Sequence, residues 1–126
     1  MMTSIDGRIV TTGWPLLPEA RKQYEIIHGS YAPEAWMCGR ITMEPLRVAC
    51  EPTRNWRTSI LNGAMLRAGP IDELSVLITP VVDGRIDTPA LFDIDGSGGA
   101  PLGLRLEAVE RRPGDVLWLR YLAAST

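Results

Sequence analysis

The sequence predicts an α/β domain, and three stretches carry that prediction. The first is Ala35–Pro45, which reads as a short buried strand, Ala35–Cys38, breaking at Gly39 and running into a helix that opens near Arg40. The second is Leu74–Ile78, an apolar run closed by Pro80, the pattern of a strand buried on both faces. The third is a pair of alternating runs, Leu102–Glu110 and Val116–Leu122, on either side of the turn residues Arg112-Pro113-Gly114-Asp115. That pair predicts a closing antiparallel hairpin.

The remaining elements follow in order. Met1–Thr3 reads as the tail of a strand whose beginning lies outside the sequence. Ser4, Asp6 and Gly7 make a turn, Asp bonding local backbone and Gly taking positive φ. Asp6 is either a turn-former or a carboxylate at a strand end facing a cleft. Trp14, in the loop Thr11–Pro15, is either a packing residue or a flat wall beside a ring ligand. Pro18–Tyr31 predicts a helix, with Pro18 and Glu19 in its first turn and Gly29 able to end it. Ala20, Tyr24 and Ile27 form its expected buried stripe, and Arg21, Lys22, Gln23 and Glu25 face water. His28, at the cation-favouring end, reads as structural.

The turn at Gly39 is where α/β proteins place anions, because free N–H groups and the positive helix end converge there. Arg40 adds a charge and Thr42 a hydroxyl; an ordinary strand-to-helix connection is the competing reading. Ala49–Thr58 is polar, contains Pro52 and reads as loop, with Arg54 and Arg57 as solvated charge or a ligand patch. Ser59–Ala68 predicts a second helix, capped by Thr58 or Ser59, with Leu61, Met65 and Leu66 on its apolar face and Gly69-Pro70 as its stop. Asp83-Gly84 is a turn, and Leu91-Phe92 a short apolar insert before the loop glycines Gly96-Ser97-Gly98-Gly99. Those glycines lack the flanking strand and helix of a nucleotide fingerprint.

The chain of 126 residues suits one domain, and its mean hydropathy of +0.01 suits a folded one. A net charge of −2 gives no electrostatic case for nucleic acid or an anionic membrane. No stretch is long enough to cross a bilayer, and Met1–Val10 has no signal-peptide character, so the expected location is cytoplasmic. Cys38 and Cys50 read as reduced thiols, and no metal-ligand spacing is present.

Four segments taken together resemble a known family. They are Met2–Ile9 (Met-Thr-Ser-Ile-Asp-Gly-Arg-Ile), Ala35–Glu44, Leu61–Leu74 and Pro113–Tyr121. In that order they are similar to the pyrimidine reductase domain of bacterial riboflavin biosynthesis, a dihydrofolate-reductase-like family. The resemblance implies a mostly parallel sheet flanked by helices, ending in an antiparallel hairpin. It implies an NADPH-dependent, metal-free reductase that opens the sugar of a ribosylamino-pyrimidine phosphate, and a homodimer joined through sheet edges and the C-terminal region. Position by position, it places Asp6 at the catalytic centre, with Thr3 beside it near nicotinamide and substrate. Trp14 becomes a wall of the cofactor cleft. Gly39, Arg40, Thr42 and Glu44, with Leu61 and Asn62, meet the cofactor.

The chain departs from the family before Leu61. Family members carry an acidic residue and a glycine run at a strand end there; this chain has Asn55–Ile60. Central strands are expected to be missing between about residues 48 and 59. Two functions follow: an NADPH-dependent reductase, or an inactive truncated member that dimerises or binds nucleotide weakly.

Overall fold

In the computed structural model, described for residues 1–32, 58–94 and 100–123, two helices and four strands are set in chain order. They are β1 (Met2–Thr3), α1 (Pro18–Ser30), α2 (Thr58–Ala68), β2 (Glu73–Ile78), β3 (Leu104–Arg112) and β4 (Val116–Ala123). The expected strand and helix around Gly39, both cysteines and the Gly96–Gly99 glycines lie outside the described residues.

The sheet order is β1-β2-β4-β3. Only β1 and β2 run parallel, and the pairs β2–β4 and β4–β3 are antiparallel. The expectation of a mostly parallel sheet is thus corrected among the described residues. The reason is geometric. Strands joined by a three-residue turn must be antiparallel, and β4 returns from that turn to flank β2 on its second side.

β2 matches its apolar pattern. Leu77 is buried on the α1 side, and Leu74 and Val76 on the other. Ala20 and Ile27 of α1 pack on Leu77 and Val116, with Met2, Leu16 and Trp118 at the margin. The helical stripe is Ala20, Gln23, Ile27, so Gln23 is buried and Tyr24 is 41% exposed. This corrects the expected Ala20-Tyr24-Ile27 stripe: positions 23 and 24 flank the line joining 20 and 27 equally, so helical period alone does not choose between them, and the packing of α1 on the sheet buries the Gln23 side. Tyr24 instead stacks beside His28.

The hairpin turn is built on Gly114 at φ +85° and Asp115 at φ +57°. A Cβ on Gly114 would lie 2.7 Å from the Ala20 backbone N, so the turn sits directly on the first turn of α1. One irregularity re-phases the hairpin. Leu106 pairs with Tyr121 and Ala108 with Arg120, leaving Glu107 as an unpaired bulge. The bulge puts Leu104 and Leu106 on the same face as Val109, Leu117, Leu119 and Tyr121. The α1 face of the hairpin carries Glu110, Arg112, Trp118 and Arg120 instead.

Candidate functional site

In open α/β sheets, ligands bind outside the carboxyl ends of the strands. At that end of β1 and β2 the ladder continues into the loops. Thr79 N–H donates to Thr3 O at 2.8 Å, and Ile5 N–H donates to Val81 O at 2.8 Å. The turns Ser4–Gly7 and Val81–Arg85 are thereby held side by side.

Asp6 joins these turns. Its Oδ1 accepts from Ser4 Oγ at 2.6 Å and from Asp83 N–H at 3.0 Å. Its Oδ2 accepts from Gly84 N–H at 2.8 Å. The Ser4 hydroxyl and the two amides lower its pKa from 3.8 to about 2. Asp6 is therefore a fixed anion at neutral pH, able to orient donors but holding no proton to give.

Asp83 is the second carboxylate, and its side chain has no exposed surface. Oδ2 accepts from the Trp14 indole N–H at 2.6 Å and from Arg85 Nη2 at 2.6 Å. Oδ1 accepts from Arg85 Nε at 2.6 Å. The Arg85 guanidinium holds its pKa far below the usual carboxylate range. Arg85 Nη2 also donates to Val10 O at 3.1 Å, tying in the loop that leads to Trp14.

Among the residues expected at the site, Thr3, Asp6 and Trp14 come together at this end. Thr3 is buried, with its hydroxyl aimed at Ser4 O and Arg8 O of its own turn. Trp14 is 7% exposed, a packed partition with its N–H on Asp83. Asn62 stands on α2 and donates to Leu91 O at 3.1 Å, and the half-buried Leu61 precedes it. Gly39, Arg40, Thr42 and Glu44 lie outside the described residues.

Sequence reasoning read Asp83 only as half of the Asp83-Gly84 turn and Ser59 only as a candidate helix cap, and it did not single out Arg85. Ser59 lies in the first turn of α2 and is fully buried, and among the described residues its Oγ has no hydrogen-bond partner. Its carbonyl accepts from Asp93 N–H at 3.0 Å, so the loop after β2 folds back onto the start of α2. Gly63 permits that approach, since a Cβ there would collide with the Asp93 carbonyl oxygen. The available signal for Asp83 was its place just beyond the buried run of β2.

A hollow of about 120 Å³ lies between α1 and β2, lined by Tyr24, Ile27, His28, Tyr31, Ser75 and Leu77. Tyr31 donates to Glu73 there at 2.6 Å. Among the described residues, no helix is long and apolar enough to cross a membrane, and no group of three His, Cys, Asp or Glu could hold a metal ion.

Compared with solved structures, the chain is similar to RibD of Acinetobacter baumannii, form 2, over 98% of its own length and 56% of that chain, at 15% identity and a TM-score of 0.58. It is also similar to form 1 of that protein, over 52% of this chain and 18% of that one, at 26% identity and a TM-score of 0.44. A pyrimidine reductase-like protein from Corynebacterium diphtheriae matches 52% of this chain and 26% of its own, at 21% identity and a TM-score of 0.46. The chain spans little more than half the length of the first of these and less of the others. The likeness to RibD over nearly the whole chain shows a shared fold, in line with the resemblance drawn from the four segments. No family model and no curated protein matches the sequence.

Proposed function

We propose that this chain is a pyrimidine reductase-type domain that binds NADPH and reduces a ribosylamino-pyrimidine phosphate or a similar carbonyl or imine compound. The observation that carries the reading is the buried hydroxyl of Ser59 at the start of α2, which has no partner among the described residues. A helix N-terminus favours anions, and a buried hydroxyl without a partner is costly unless something completes it. A phosphate oxygen of a dinucleotide would complete it. The shared fold and the four ordered segments support the same reading.

When bound, NADPH supplies the hydride, so the protein needs no nucleophile of its own. The work left to this chain is to orient and to exclude water. Ser59 and the first amides of α2 would hold an anionic group. Trp14 would wall the ring, and the fixed charge of Asp6 would sit beside the reacting centre. Asp6 then acts as an ionised, positioned group and not as a proton donor. Leu61, Asn62 and Thr3 frame the site through the backbone contacts they make or lie beside.

Titration of folded protein with NADPH, followed by cofactor fluorescence, tests this. Saturable binding with preference over NADH is the expected result. Ser59→Ala sharpens it. That change should leave the free protein as stable or more stable by about 1 kcal/mol, because an unsatisfied hydroxyl is gone. It should weaken NADPH by the worth of a hydrogen bond to a charged group, about 1.5–3 kcal/mol. Unchanged affinity in the variant removes Ser59 from the site.

One observation favours a second reading, a dimerising module with weak or no nucleotide binding. The hairpin exposes Leu106 at 50%, Val109 at 53% and Leu117 at 41% on one face. Apolar sheet faces of this kind associate. A homodimer is compatible with both readings. Sedimentation of wild type and of a Leu106→Glu, Val109→Glu variant measures it, with the variant expected to be monomeric. Folded protein that dimerises and binds no NADPH would select the module over the reductase.

A further inference from the structure

Asp83 holds more contacts than a turn residue needs. One oxygen takes the Trp14 indole, both take the Arg85 guanidinium, and its own backbone N–H is gripped by Asp6. Asp6 from the first turn meets its backbone, and Trp14 from the loop before α1 and Arg85 from its own loop meet its carboxylate, with Ser4 bonded to Asp6 and Asp87 acting on Arg85. Its carboxylate is sealed from solvent although the loop around it lies at the surface. A buried charge kept in a surface loop is justified by what it holds in place. Here the ring of Trp14 has one polar atom, and that atom is on Asp83 at 2.6 Å.

We infer that Asp83 is the positioning residue of this site: it fixes the plane of the Trp14 indole at the carboxyl end of β1 and β2, and Asp6 acts through it by fixing its backbone. The inference rests on the preceding reading only in treating Trp14 as a wall of the ligand cleft. The geometry accounts for two carboxylates so close together without a shared proton. Each is saturated by its own donors, Asp6 by amides and a hydroxyl, Asp83 by a guanidinium and an indole. The chain of contacts is directional. Asp6 sets the backbone of Asp83 and Gly84, Asp83 sets Trp14 and Arg85, and Arg85 closes the loop on Val10.

The test uses the full chain and the indole N–H resonance of Trp14, assigned by its loss in Trp14→Phe. In Asp83→Asn that resonance is expected to move and the ring to become more accessible to a neutral quencher. The resonance of Trp118, whose N–H lies on Ser75 Oγ at 2.8 Å, is the internal control and should stay. Asp83→Glu, which keeps the charge, should restore part of the shift, and it serves if the Asn variant fails to fold. Asp6→Asn should move Trp14 less than Asp83→Asn does. In protein that binds NADPH, Asp83→Asn should raise Kd about tenfold, and adding Trp14→Phe should cost little more, because both act through one contact. A Trp14 resonance unmoved in folded Asp83→Asn overturns the inference. So does a moved resonance with unchanged Kd in protein that binds NADPH. Wild type that fails to bind NADPH sinks the reductase reading alone, and the resonance then decides the positioning role by itself.

Discussion

β2 and β3 flank β4 from opposite sides, and they sort their side chains in opposite ways. β2 buries apolar residues on both faces, with Leu77 at 2% and Leu74 at 4% exposure. β3 turns Glu110 and Arg112 toward the α1 side, half-buried, and leaves Leu106 and Val109 at 50% and 53%. On that side Arg112 and Arg120 lie 4.9 and 5.2 Å from the centre of the Trp118 ring, and Arg112 pairs with Glu110 at 3.0 Å. The difference teaches that what covers each face, rather than strand pattern, decides burial. The helix covers Leu77 and Val116, while the outer strand shelters its charges against an aromatic ring and offers its apolar side outward. Inward charge is one way edge strands avoid unwanted pairing, but outward Leu and Val invite association.

The sharpest way to break the contrast is a matched pair of truncations. Leu77→Ala should cost about 2–5 kcal/mol in denaturant unfolding, and Leu106→Ala under about 1 kcal/mol at a concentration where the chain is monomeric. Similar losses at both sites would erase the distinction between the strands. Next in size is Gly114→Ala. It forces an L side chain onto positive φ and against Ala20, so we expect about 1–3 kcal/mol, read the same way. A neutral Gly114→Ala would mean that the hairpin does not lean on α1.

A smaller effect separates the two regions by acidity: Asp6 accepts from the amides of Asp83 and Gly84 just beyond β2, whereas Asp115, just beyond β3, meets Arg111 in the open. Asp6 ionises at about 2 when folded, against 3.8 ordinarily. The unfolded chain therefore takes up its proton first as pH falls. Its contribution is whole above 3.8 and drains away between 3.8 and about 2. Acid titration followed through Trp14 should show this loss, and Asp6→Asn should flatten it. The smallest effect belongs to the hairpin tip. Arg111 and Asp115 meet at 3.3 Å with 81% and 69% of their side chains exposed, so Arg111→Ala should change stability by less than about 0.5 kcal/mol.

How much of this was legible follows from the range of the interactions involved. The run Leu74–Ile78, the two helices and the hairpin were readable because period and turn chemistry are local. The phase of α1 was misjudged by one residue because Tyr24 outranks Gln23 in hydrophobicity, though not in geometry. Strand order was hidden, since the placing of β4 beside β2 is a long-range choice that no window of sequence contains. At the site, Asp6 stood out as a carboxylate after a strand. Its partners, the amides of Asp83 and Gly84, are separated from it by 77 and 78 positions, and only folding brings them within reach. The buried Ser59 hydroxyl was invisible for a related reason: a serine at a helix start ordinarily caps it.

The unpaired Glu107 has a further consequence. Because parity changes at that point, β3 is two short registers joined end to end, and each is regular by itself. Were Glu107 instead to pair with Tyr121, Leu106 would slip to Leu122 and Arg105 to Ala123, turning Leu104 and Leu106 to the helix side and Arg105 outward and exchanging a sticky surface for a charged one. The bulge, and not the composition of the strand, thus decides whether this outer surface is apolar or charged.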